Sequence, residues 1–94
     1  MSDGIYTVDF ARRTEDQINA IPKDVRKLVM DRINNLKKNP RPENLEPLYG
    51  SDKGLFRIRQ GDYRIVYSIN DTKLLILIVR VVHRKEVYKK KHRS

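Results

Sequence analysis

Arg57, Arg59 and Arg64 fall within one short stretch, and His83, Arg84 and Tyr88 follow the most apolar run of the chain. Arginine is planar, permanently charged and able to bond a phosphate through several N–H groups at once. Histidine and tyrosine can hold or move a proton. Together these types suit chemistry on a phosphodiester, where negative charge gathers on phosphoryl oxygens as the reaction proceeds. The competing structural account is ordinary: arginines that lay their stems along a sheet, a surface His83, and a Tyr88 that anchors the C-terminal segment. No pattern in the chain matches a metal site, a glycine-rich phosphate cradle or a nucleophile with a partnered base. The chemistry expected here is therefore independent of metal and cofactor.

The elements around these residues decide whether they meet. Phe56-Arg57-Ile58-Arg59-Gln60-Gly61-Asp62-Tyr63-Arg64-Ile65-Val66-Tyr67 places a glycine between two β-rich runs, which predicts a tight hairpin. A turn at Gln60-Gly61 sets Arg57 opposite Arg64 and Ile58 opposite Tyr63. Side chains alternate with period two, so Phe56, Ile58, Tyr63 and Ile65 share one face while Arg57, Arg59 and Arg64 share the other. Moving the turn to Gly61-Asp62 keeps that division. Opposed like charges destabilise a sheet, and Asp62 can balance only one arginine, so the cluster points to an anion site.

Upstream, Ile5 to Phe10 reads as a first strand and Ala11 to about Ala20 as a helix closed by Ile21-Pro22. Asp24 is the expected N-cap of a second helix whose stripe is Val25, Leu28, Val29, Ile33 and Leu36. Asn39-Pro40-Arg41-Pro42 ends it, and Glu43 to Lys53 is expected as a loop with Leu45, Leu48 and Tyr49 tucked against the core. Leu55–Arg59, Tyr63–Ile69 and Lys73–Val82 then form an antiparallel meander. Leu74 to Val79 lacks polar alternation, which predicts a central strand covered on both faces. The fold class is α+β: a strand, a two-helix hairpin and a three-stranded meander, giving a small sheet packed by helices. Tyr6, Tyr49, Tyr63 and Tyr67 are of a type that can stack bases, but with only seven aromatic side chains several are needed for the core, and Tyr63 and Tyr67 are assigned there.

At 94 residues, 1–94 is expected to be a single domain with one modest core, so any site is a surface groove and not a deep cavity. Lysine and arginine number 21 against 12 acidic residues, a net charge of +9 that steers the protein toward polyanions. Lys53 and the tail lysines Lys89, Lys90 and Lys91 are expected to add nonspecific attraction to RNA phosphates, with 89–94 a mobile basic tail. The chain has no cysteine, which removes thiolate chemistry and fits a reducing cytoplasm. No signal-like N-terminus or membrane-length apolar run occurs, so no membrane partner is expected.

From Ile5 to Tyr88 the sequence resembles the RelE/ParE superfamily of toxin–antitoxin systems. The resemblance rests on Leu48-Tyr49-Gly50, on the hairpin segment Phe56 to Tyr67, and on His83-Arg84-Lys85-Glu86-Val87-Tyr88. It implies the RelE-like microbial ribonuclease fold and a toxin that enters the ribosomal A site and cuts mRNA by 2′-hydroxyl transesterification. By position, Arg57 and Arg59 match two basic residues of the family's second strand, Arg64 its third-strand arginine, Arg84 the arginine after the last strand, and Tyr88 the tyrosine near the C-terminus. Two departures concern the general base. Arginine replaces the more usual lysine at Arg57 and Arg59 and cannot readily give up a proton, and the stretch from Arg84 to Tyr88 is short. Tyr88 and His83 are then the candidate proton acceptors. The implied partners are the ribosome, mRNA and a cognate antitoxin; the toxin alone would be a monomer that forms a hetero-oligomer with the antitoxin. Alternatives are a ParE-like inhibitor of DNA gyrase without nuclease activity and a non-catalytic RNA-binding module.

Overall fold

The computed structural model describes residues 5–85. Five strands and two helices follow the chain: β1 (Thr7–Phe10), α1 (Thr14–Asn19), α2 (Lys23–Asn35), β2 (Glu46–Pro47), β3 (Phe56–Gln60), β4 (Tyr63–Asn70) and β5 (Leu75–His83). One sheet contains all the strands in the order β1-β5-β4-β3-β2, with β1 parallel to β5 and the rest antiparallel. The expected α+β class and the β3-β4-β5 meander are both present. No helix among the described residues is long and apolar enough to cross a membrane.

The helices cover one face of the sheet. Ile18, Ile21, Val29, Ile33 and Leu36 meet Ile58, Ile65, Tyr67, Ile76, Ile78 and Val81 in a single buried core, with Tyr63 packed at its margin. Tyr67 is fully buried, and its hydroxyl donates to the Pro40 carbonyl at 2.8 Å, so the sheet holds the loop that leaves α2. Burial pushes that hydroxyl's pKa above its ordinary value.

Several sequence expectations are corrected by packing. The α1 helix begins at Thr14, not Ala11, because the buried Thr14 hydroxyl donates to the Ile78 carbonyl at 3.2 Å and fixes the chain to β5 first. Arg13 precedes it at φ 74°. Pro22 occupies the N-cap of α2, and Asp24 lies in the first turn, where a carboxylate still favours the helix dipole. Leu28 is exposed because it stands about 100° round the helix from Val29, off the stripe. The expected Glu43–Lys53 loop contains β2 and a 3-10 turn, Gly50–Asp52; Leu45 packs on the core, Leu48 is half-buried, and Tyr49 projects into solvent. Finally, β5 is covered by helices on one face only among the described residues: Ile76, Ile78 and Val81 are buried, whereas Leu75, Leu77, Val79 and Val82 are half-buried.

At the end of the sheet away from the hairpin, Asp71 accepts from the Tyr6 hydroxyl at 2.6 Å and from both terminal nitrogens of Arg41 at 3.1 and 2.8 Å. These bonds lower its pKa to about 2, from an ordinary 3.8. A depressed carboxylate contributes stability that is present above the unfolded value and lost as pH falls through the folded one. Asp71→Asn is expected to melt below the parent at pH 7, with the gap closing between about pH 4 and pH 2. Thermal unfolding followed by circular dichroism across that range checks this; a gap constant with pH counts against it.

Candidate functional site

The β3–β4 hairpin closes on a two-residue turn, Gly61-Asp62, with Gly61 at φ 60°. Glycine suits this first turn position because it accepts positive φ at no steric cost. The pairs are Gln60 with Tyr63, Arg59 with Arg64, Ile58 with Ile65, and Arg57 with Val66. Arg59, not Arg57, is therefore the residue opposite Arg64. The facial division expected from the sequence survives, since the one-residue shift of the turn moves both strands together.

On the face away from the helices, two rows of side chains form across the strands. One is Glu46, Arg57, Val66 and Arg80; the next is Arg59, Arg64 and Val82. Adjacent strands are about 4.8 Å apart, so these arginines stand side by side on one face. Arg84 joins at the sheet end, where its backbone N–H donates to the Asp62 carbonyl at 2.8 Å and its Nε lies 3.9 Å from Asp62 Oδ1.

Three acids temper this cationic face. Glu46 takes Arg57 through a short Nη2 contact and through Nε at 3.0 Å, and its other oxygen lies 3.9 Å from Arg59 Nη2. The Arg57 hydrogen bond and charge hold the Glu46 carboxyl below its ordinary pKa. Asp52 takes Arg80 at 2.7 Å. Asp62 lies between Arg84 and His83, whose Nε2 is 4.0 Å away.

Arg64 is the exception. Its Nε is buried with no hydrogen-bond partner and it makes no ion pair among the described residues. Burial first, then the charges of Arg57, Arg59 and Arg84, lower its pKa. A partly buried cation among like charges is stabilised when an anion joins it.

His83 does not share the arginine face. It pairs with Tyr63 on the helix side, meets that ring edge-on at 5.0 Å between centroids, and accepts the Lys85 backbone N–H at Nδ1 over 3.1 Å. With Asp16, Gln17, Ala20, Ile21, Tyr63 and Val81 it lines a groove of about 320 Å³ beside α1. Its Nε2 and the Arg84 Nε both approach the Asp62 carboxylate. Lys53 is exposed on the β2–β3 connection. Tyr88, Lys89, Lys90 and Lys91 lie outside the described residues.

Sequence reasoning missed Glu46, Asp52 and Arg80. Glu46 carried a faint signal, as an acid eleven residues before the first of two clustered arginines. Arg80 carried none that alternation could use.

With this geometry in place, comparison with known proteins is decisive about class. The model for the ParE toxin of type II toxin–antitoxin systems, parDE, matches residues 5–88, and the chain belongs to that family, within the RelE/ParE superfamily of toxins. Toxin RelG of Mycobacterium tuberculosis is 29% identical over 86 residues, covering 90% of this chain and 98% of that protein. The toxin–antitoxin complex RelBE2 of the same organism matches with a TM-score of 0.74 and 29% identity, over 83% of this chain and 96% of that one. The archaeal RelE–RelB complex of Pyrococcus horikoshii gives 0.74 at 27% identity, over 85% and 96%. The isolated E. coli RelE toxin gives 0.71 at 25%, over 94% and 96%.

Glu46→Gln removes an anion that competes for Arg57 and Arg59. In water a unit charge a few ångströms away changes anion affinity by about fivefold, and by less as salt screens it. The variant is expected to bind single-stranded RNA about fivefold more tightly at low salt, measured by fluorescence anisotropy. Unchanged or weaker binding would show that Glu46 does not oppose the ligand.

Proposed function

We propose that this toxin is an endoribonuclease that cleaves mRNA in the ribosomal A site without a metal, and that a cognate antitoxin neutralises it. The observation that carries the reading is Arg64, half-buried, with its Nε unsatisfied and no ion pair among the described residues, beside the like charges of Arg57, Arg59 and Arg84. A phosphate seated there relieves the repulsion among four guanidinium groups and gains multidentate hydrogen bonds. The ribose 2′-oxygen attacks the adjacent phosphorus, the bond from phosphorus to the 5′-oxygen breaks, and the products are a 2′,3′-cyclic phosphate and a 5′-hydroxyl. Arg64 and Arg57 hold the phosphate, Arg59 orients the backbone, and Arg84 stabilises the departing 5′-oxygen.

The 2′-proton needs an acceptor. Tyr88 and His83 are the candidates from the sequence, and Glu46 joins them: when phosphate draws Arg57 and Arg59 away, the groups that depress its pKa are gone and its proton affinity rises. The ribosome supplies substrate positioning that a shallow face on so small a protein lacks. The antitoxin assignment draws on the M. tuberculosis and P. horikoshii relatives, whose structures are of toxin–antitoxin complexes. An acidic or amphipathic antitoxin segment that folds on binding would complement the basic face, and the cytoplasm is where toxin, ribosome and antitoxin would meet.

Programmed ribosomes mixed with the protein, followed by mapping of mRNA ends, test this directly. The expected result is cleavage leaving 2′,3′-cyclic phosphate ends, slowed about a hundredfold in Arg84→Ala, as for loss of one donor to a developing oxyanion. Intact mRNA together with inhibited DNA gyrase supercoiling would sink the nuclease reading and favour the ParE-like one.

A further inference from the structure

Tyr49 is 79% exposed, more than any other large apolar side chain among the described residues. An aromatic ring left in water forgoes the burial that makes it valuable in a core. The loop that presents it is nevertheless tied down. Leu48 N–H donates to Leu55 O at 2.9 Å, Asp52 N–H to Tyr49 O at 3.3 Å, and Leu55 N–H to Asp52 O at 3.0 Å. Gly50 at φ 67° and Gly54 at φ 96° let the chain double back; other residues would be strained there, although a Cβ would meet nothing within 4 Å. Asp52 then reaches onto the arginine face and grips Arg80 at 2.7 Å. The ring is thus held three residues beyond Glu46, the partner of Arg57, with exposed Lys53 on the same loop.

We propose that Tyr49 is a stacking platform for a nucleobase of the single-stranded RNA whose phosphate lies on Arg57, Arg59, Arg64 and Arg84. The inference rests on the RNA reading of that face. Unpaired bases offer π-faces without regard to sequence, and an aromatic ring beside a cationic track is the arrangement that captures them. Arg80 and Asp52 act as positioning residues that fix the loop, and Lys53 adds charge for the neighbouring phosphate. Stacking is stronger with larger rings, so purines are favoured at this position.

The test uses the full chain and an oligoribonucleotide carrying 2-aminopurine, with 2′-O-methyl sugars that block cleavage, titrated at low salt. Wild type and Tyr49→Phe are expected to quench the fluorophore and bind alike. Tyr49→Ala should lose the quenching and roughly 5- to 100-fold in affinity, the fold-change equivalent of stacking one base. Its melting temperature should be unchanged, since the ring makes no core contact. The proposal is overturned if wild type gives no quenching, if Tyr49→Ala quenches and binds like wild type, or if Tyr49→Leu restores affinity without quenching. Cleavage on ribosomes is read separately: a wild type that quenches but cuts no mRNA removes the nuclease reading and leaves the platform, whereas equal cutting and equal quenching by Tyr49→Ala removes the platform alone.

Discussion

The guanidinium groups of Arg57, Arg59, Arg64, Arg80 and Arg84 crowd one side of a small sheet and repel one another, and the sheet must hold them there against that repulsion. Strand alternation prevents Arg57, Arg59 and Arg64 from turning into the helix-covered core, and the β3–β4 register fixes Arg59 opposite Arg64. What pins the register is the other face. Ile58 and Ile65 are opposed, buried, and in contact with the core built by Val29, Ile33 and Leu36. A slip of one residue would carry the arginines into the core and these isoleucines into water. Hydrophobic burial behind the sheet therefore sustains an electrostatic arrangement in front of it that would not form by itself.

A bulge in β5 extends the same logic. Tyr67 pairs with Ile78, but Val66 pairs with Arg80, so Val79 is an extra residue at that step. With uniform pairing, Val66 would meet Val79, and Arg80 would point toward the helices opposite Ile65. The extra residue reverses the phase, so that Val81 is buried against Ile65 and Arg80 reaches the open face. The same reversal sends His83 to the side of Tyr63 and away from the arginines. One inserted residue thus decides which of the C-terminal polar groups can reach the anion site directly.

This explains what could be read from the sequence and what could not. The meander, the helix hairpin and the division of arginines from isoleucines follow from periodicity, which survives an error of one residue in the turn. The placement of His83 and Arg80 depends on the bulge, and the run Leu74 to Val79 before it is too uniformly apolar to reveal a change of phase. Glu46 meets Arg57 through a two-residue strand, and Asp52 meets Arg80 through a 3-10 turn, neither of which composition encodes. The expectation that Tyr49 tucks against the core with Leu45 and Leu48 fails because the chain doubles back at Gly50 and Gly54 and takes the ring outward. The sequence resemblance to the RelE/ParE superfamily was specific enough to give the class, which the family match over residues 5–88 establishes.

The distribution of acids gives the site an internal order. Arg57 and Arg80 have close carboxylate partners, Arg59 and Arg84 have distant ones at 3.9 Å, and Arg64 has none among the described residues. An anion arriving at Arg57 or Arg80 only replaces one carboxylate with another, so its net gain is small. An anion arriving at Arg64 replaces nothing, and it neutralises a guanidinium already weakened by burial and by three like charges. The strongest binding is therefore reserved for a group small and negative enough to reach the centre of the cluster. In the proposed reaction a phosphate seated there would compete with Glu46 for Arg57 and Arg59, so the carboxylate would be freed only when the phosphate is in place.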